Sequence, residues 1–189
     1  MSDDAGMTSN LQTVITPYGL RIMLHDTDKV GMFERGSARL SERFKMLLRK
    51  MAPIFEKIEN QMLIVGHTDS LQFANHDESI FSNWSLSTER AMAARIQLIA
   101  GGMRGASVLQ VVGMADRAPL DKDDPAAGVN RRIELLVLTP GQSQAITKMF
   151  GMPDKSEPLV EGADAALPND DLLSKLRDQL QVLKAKAAQ

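Results

Sequence analysis

The sequence predicts an α/β fold: a two-layer sandwich in the order βαβαββ, with a mixed sheet and the helices packed on one face. Three observations carry this. Short apolar runs of strand length are bounded by turn residues. Longer segments between them repeat apolar residues every three or four positions. The two kinds of segment alternate, so successive strand–helix–strand units require parallel or mixed pairing.

The elements follow in order. Residues 1–18 are expected to be a flexible lead-in, beginning with the polar, acidic MSDDAGMTSN. Leu20, Ile22 and Leu24 alternate with Arg21 and Met23, which gives a half-buried strand. DTDKVGMFERGSA then reads as a glycine-punctuated loop. Leu40, Phe44, Leu47, Leu48, Met51, Ile54, Phe55 and Ile58 recur at helical spacing, with Pro53 expected to kink or restart the helix. Gln61 to Val65 is the second strand. After a polar loop, Ser87 is expected to cap a second helix, with Glu89 in its first turn and Gly101-Gly102 at its end. Val108 to Gly113 is the third strand and Ile133 to Leu138 the fourth, and a short helix follows through Phe150.

The sandwich therefore spans residues 19–150. Residues 151–189 form a linker, marked by Pro153, Pro158 and Pro168, and a last helix. Leu173, Leu176, Leu180 and Leu183 give that helix a stripe about two heptads long. The stripe suits either docking on its own domain or a small coiled-coil partner.

Composition narrows the function. The chain is 43% hydrophobic and 24% charged, so it can build a core, and with 4% aromatics that core must be aliphatic and Met-rich. A net charge of −2 lacks the basic excess of a general nucleic-acid binder. The absence of cysteine removes disulfides, thiolate metal sites and Cys nucleophiles. No apolar run approaches the roughly 18 residues of a membrane span, and the N-terminus lacks the pattern of a signal peptide. Any address for export or anchoring is expected outside these residues.

Candidate chemistry gathers around GHTDSLQF, residues 66–73. His67, Asp69, His76 and Asp77 are ligand types for zinc or iron and would allow a metal-dependent hydrolase, but their spacing is no specific signature. His67 can equally cap the strand end. Ser70, Ser79, Ser82, Ser85 and Ser87 lie near by without a nucleophile elbow. Asp69 ends the second strand, and Arg90 is placed at the exposed mouth of the second helix. One carboxylate and one guanidinium in a groove can hold a zwitterion, helped by free N–H groups at the helix start. The same pair can also be a structural salt bridge.

Four strings shift that balance: GHTD (66–69), NWSLSTERA (83–91), VVG (111–113) and NRRIELLVL (130–138). In this order and spacing they resemble the OmpA-like peptidoglycan-binding domains, over roughly Leu20 to Leu138. GLRIMLHDTD, GMF, MAP, SNW and VVGMADRAPL are similar, more narrowly, to the MotB family of flagellar-motor stator subunits, including the type that drives lateral flagella. Envelope tethers of the Pal and OmpA type share only the motif core and are the rival reading.

The resemblance implies a non-enzymatic anchor without a cofactor or metal, gripping the diaminopimelate of the peptidoglycan stem peptide. Asp69 would take its ammonium and Arg90 its carboxylate. Thr68, Asn83, Leu86 and Ser87 would line the groove, and Arg131 would support it. The resemblance further implies a periplasmic homodimer that is tethered to the inner membrane in the full-length protein and partnered there by a MotA-type stator subunit. The membrane helix of such a subunit, with its proton-accepting aspartate, is not in this sequence. Asp26 and Asp28 lie in a polar stretch and do not match it.

Overall fold

A computed structural model describes residues 10–27, 31–71 and 82–151. The chain divides after Gly151, and the fold described is that of the first unit. Its sheet has five strands: β1 (Leu11–Thr16), β2 (Gly19–His25), β3 (Met62–His67), β4 (Val108–Gly113) and β5 (Arg132–Leu138). The helices are α1 (Glu42–Glu56), α2 (Asn83–Ala100) and α3 (Pro140–Phe150).

The spatial order is β1-β2-β5-β3-β4. Only β3 and β4 pair in parallel; the other neighbours are antiparallel. The expected mixed sheet is present, with β5 inserted between β2 and β3. His25 and His67 both face Arg132 across β5 in the register. The chain ends of β2 and β3 therefore flank the residue that leads into β5, which sets up the groove described below.

One layer of apolar side chains fills the space between sheet and helices. Ile22, Leu24, Met62, Ile64, Ile133 and Leu135 come from the strands, and Phe44, Leu47, Leu48, Met51 and Phe55 from α1. Ala91, Ala94 and Leu98 come from α2, where small residues let the helix lie close to the strands. Among the described residues no helix is long and apolar enough to cross a membrane.

Three expectations are corrected. Residues 11–18 are not the expected flexible lead-in: Leu11–Thr16 forms β1, paired with β2 through a tight turn. The only inward support of this edge strand is Leu11, so its sequence shows little periodicity. Pro53 does not restart the first helix, because α1 runs through it with Leu48, Met51, Ala52 and Phe55 on one buried face. The second helix begins at Asn83, not after Ser87. Ser87 sits in its second turn, fully buried. His76, Asp77, Ser79 and the Leu173 to Leu183 stripe lie outside the described residues.

Candidate functional site

The site is a groove of about 690 Å³ at the ends of β2, β3 and α2. Its walls include Asp26, Asp69, Leu71, Asn83, Leu86, Arg90 and Arg131, and the loop over residues 31–36.

Two glycines bring the walls together. Gly66 in β3 meets the backbone of α2 so closely that a Cβ there would lie 2.0 Å from the Ser87 carbonyl oxygen. On the neighbouring strand, a Cβ on Gly113 would lie 2.2 Å from Thr88 Oγ1. The Ser87 hydroxyl then latches the contact: it donates to Trp84 O at 3.0 Å and accepts Ala115 N at 3.1 Å. Ala115 holds the left-handed conformation, φ 48°, and its carbonyl accepts Thr68 N at 2.9 Å. Ser87 and Thr68 are therefore fastenings behind the groove, not lining. Thr68 Oγ1 is buried without a hydrogen-bond partner among the described residues.

Asn83 opens α2 and spans to the end of β3, its amide donating to the carbonyls of Asp69 (3.3 Å) and Leu71 (3.2 Å). Leu86 lines the groove with its side chain. Its N–H is already bonded to Ser82 O at 2.9 Å, so it offers no free donor.

The charged residues are arranged differently from the expected Asp69–Arg90 pair. Arg131 Nη1 donates to Asp69 Oδ2 at 2.7 Å, and its Nε donates to Asp26 Oδ2, also at 2.7 Å. Arg131 thus bridges two carboxylates, one from the end of β2 and one from the end of β3. Asp26 also accepts Met32 N at 2.5 Å, which ties the 31–36 loop to the site. Asp69 Oδ1 accepts Leu71 N at 3.2 Å. Burial lowers the pKa of Arg131, but its hydrogen bonds to Asp26 and Asp69 outweigh this and hold it above the ordinary value.

Arg90 is not exposed at the helix mouth. It is the eighth residue of α2 and only 2% exposed. Its guanidinium lies over the Phe33 ring, 4.7 Å from the centroid, and its Nε donates to Ser37 O at 3.1 Å. Nη1 is buried with no hydrogen-bond partner among the described residues. Burial pulls its pKa down to about 10, against the fields of Asp26 and Asp69, so it remains charged at neutral pH. A buried guanidinium with an unused N–H is costly, and an anion entering the groove would relieve it.

The last motif, Asn130-Arg131-Arg132, divides its work three ways. Asn130 is fully buried and staples the preceding loop, donating to Asp121 O and Asp124 O and accepting Asp121 N. Arg131 enters the groove. Arg132 lies along the other side of the sheet, where its Nε donates to Glu134 at 2.7 Å and its Nη2 to Ala118 O at 2.8 Å.

His67 belongs to that second cluster. Its Nε2 is 3.3 Å from Glu134 Oε1, without the alignment of a hydrogen bond, and Arg21 also pairs with Glu134. Burial, reinforced by Arg132, pushes the His67 pKa down to about 4. The folded state therefore refuses a proton that the unfolded chain accepts below pH 6.5 or so. Stability should fall as pH drops from about 6.5 to 4, by up to about 3 kcal/mol. Glu134, held below its ordinary pKa despite burial by Arg21 and Arg132, adds its loss at lower pH still. Denaturant titrations at pH 7.5 and 4.5 check this: His67→Gln should flatten the dependence, and an unchanged slope would remove His67 as its source. Among the described residues no three His, Asp or Glu side chains gather as a metal site.

Asp26 and the Phe33–Ser37 loop are the parts of the site that the sequence reading missed. The available signal was symmetry: Asp26 follows β2 as Asp69 follows β3, and both strands neighbour β5.

An α/β sandwich with this groove at its strand ends is a recognised class of domain: the chain belongs to the OmpA family, whose model matches residues 32–132. It is 43% identical over 163 residues to the truncated flagellar export/assembly protein LafU of Escherichia coli K12, covering 85% of this chain and 76% of that one. It is 40% identical over 137 residues to Motility protein B of Escherichia coli K12, covering 72% of this chain and 44% of that one. It spans 52% of the longer LafU of Escherichia coli O44:H18, so it matches about half of these longer relatives. The fold is also that of the periplasmic domain of Helicobacter pylori MotB, with a TM-score of 0.57 at 16% identity, over 73% of this chain and 95% of that one. A cell-wall anchor of the type VI secretion system from Pseudomonas aeruginosa shares it, with a TM-score of 0.59 at 23% identity over 73% and 94%.

Proposed function

We propose that this domain is a non-enzymatic peptidoglycan-binding module that anchors a flagellar-motor stator to the cell wall in the periplasm. The motor assignment is supported by the likeness to LafU and Motility protein B. The binding assignment is carried by one observation: a groove with a balanced set of partly unsatisfied charges. Asp26, Glu34 and Asp69 supply three negative charges, and Arg35, Arg90 and Arg131 supply three positive ones. A groove that is neutral in sum and lined by charges of both signs suits a zwitterion better than a simple anion or cation.

The side-chain end of diaminopimelate is such a zwitterion. Asp69 receives its ammonium on lone pairs left over from Arg131 and Leu71. Arg90 receives its carboxylate through the unused guanidinium N–H groups. Asn83 and Leu86 complete the wall, while Thr68 and Ser87 hold it in place from behind. Arg131 keeps the two carboxylates apart and oriented.

In the assembled stator the module would work as a homodimer, because two linked sites on one polymer raise the effective affinity without any new contact. It would be tethered to the inner membrane and partnered there by a MotA-type subunit. Calorimetric titration tests the ligand assignment. A soluble muropeptide containing diaminopimelate should bind saturably, and its lysine-containing counterpart, which lacks the side-chain carboxylate, at least about tenfold more weakly. Equal binding of the two would refute the role given to Arg90.

A further inference from the structure

We propose that Arg35 is a second anion-binding point of the groove, selecting stem peptides that keep a further free carboxylate beside the diaminopimelate end. This rests on the peptidoglycan reading and deepens it.

The loop that carries Arg35 is built, not slack. Phe33 and Leu40 form an isolated antiparallel bridge, Glu34 N donates to Arg39 O at 3.0 Å, and Ser41 N donates to Met32 O at 2.9 Å. Met32 and Leu40 are buried and root the loop in the core. At its tip, Ser37 N donates to Glu34 O at 3.1 Å, closing a four-residue turn with Arg35 and Gly36 at its centre. Gly36 has φ +65°, the conformation that the third position of a type II turn demands. Ser37 O accepts Arg90 Nε, so the turn is pinned to the floor of the groove. Arg35 is thus held at the groove rim by a turn whose footing is the anion-binding guanidinium itself.

Its charge is unspent. Arg35 lines the groove and is exposed, and among the described residues it has no ion pair or hydrogen bond. Arg131 is paired twice over. Glu34, the remaining acidic residue of the lining, faces Arg39 at 3.6 Å. Asp26 and Asp69 balance Arg90 and Arg131, so the zwitterion is served by these four. With Glu34 turned to Arg39, Arg35 is left at the rim as the lining cation that no carboxylate among the described residues engages. A stem peptide carries carboxylates besides the one at the diaminopimelate side-chain end, so it brings a partner for this unpaired cation.

The experiment compares three tripeptide muropeptides on the wild-type protein and on Arg35→Ala. One keeps all its carboxylates free, one is amidated at the isoglutamyl carboxylate, and one at the main-chain diaminopimelate carboxylate. The wild type should bind the free-acid form about threefold to tenfold more tightly than at least one amidated form. Arg35→Ala should bind all three alike, and Arg35→Glu should bind the free-acid form still more weakly. Arg35 is an exposed turn residue, so the thermal midpoints of the variants should match the wild type. A wild type indifferent to amidation, or an Arg35→Ala protein that keeps the preference, would overturn the proposal. Failure of the wild type to bind any of the three would instead overturn the underlying peptidoglycan reading.

Discussion

Asp69→Ala should weaken the binding of a diaminopimelate-containing muropeptide by roughly tenfold to a hundredfold, and Arg90→Ala by a similar factor. The magnitude follows from losing one charge-assisted contact, worth about 1.5–3 kcal/mol. The two variants should fail for opposite reasons. Without Asp69 the ammonium loses its acceptor, while Arg131 remains held by Asp26 at 2.7 Å and the groove keeps its shape. Without Arg90 the ligand carboxylate loses its donor, and Ser37 O and the Phe33 ring lose their partner. Each variant therefore carries a folding cost of its own, since Asp69→Ala also leaves Arg131 Nη1 and Leu71 N without their acceptor. Arg90→Lys separates the two effects: it keeps a cation in the groove but not the planar fork or the stacking, and should restore binding only in part. If both alanine variants remain folded by circular dichroism and bind as tightly as the wild type, the zwitterion site lies elsewhere.

Gly66→Ala should cost at least about 3 kcal/mol of stability, the upper range for overpacking a core. The reason is local and severe. The added carbon would sit 2.0 Å from the Ser87 carbonyl oxygen and 2.9 Å from its carbon, and both are backbone atoms that cannot rotate away. Relief requires α2 to lift from β3, which also carries Asn83, Leu86 and Arg90 away from Asp69. Binding and stability should therefore fall together. Gly141→Ala is the matched control. It lies in the first turn of α3 with nothing within 4 Å of the added carbon, so it should be neutral or stabilise by up to about 1 kcal/mol. Denaturant unfolding of the two variants beside the wild type reads the difference directly.

Much of the fold was legible because its elements announce themselves by period and punctuation. Val108–Gly113 was read to its observed limits; β3 starts at Met62, one residue after the predicted Gln61, and runs on through Gly66 to His67, while β5 extends its predicted run back to Arg132. The position of β5 between β2 and β3 was not legible, since strand order depends on which faces pack together and leaves no mark on any one strand. The start of α2 was misread because Ser82, Ser85 and Ser87 all stand before the apolar stripe, and the helix starts after the first of them. Burial decides: Ser87, Ala91, Ala94 and Leu98 form one inward row, so Ser87 lies within the helix and not at its cap. Within the groove, residue identities were easier to read than partnerships. Asp69, Asn83, Leu86, Arg90 and Arg131 all line it, but Arg131 rather than Arg90 holds Asp69. Arginine is usually exposed, and nothing in the local sequence says that Phe33, fifty-seven positions earlier, covers Arg90. Asp26 was missed for the same reason, its partners being supplied by Arg131 and Met32 across the sheet and loop.

The most direct measurement is residue-by-residue nuclear magnetic resonance of the labelled domain during titration with a diaminopimelate-containing muropeptide. Shifts that saturate together and cluster on residues 31–37, Asp69, Leu71, Asn83, Leu86, Arg90 and Arg131 are the predicted result. Shifts confined to β1, α3 or the face of Arg21 and Glu134, or no shifts at saturating ligand, would contradict the assignment of this groove as the wall-binding site.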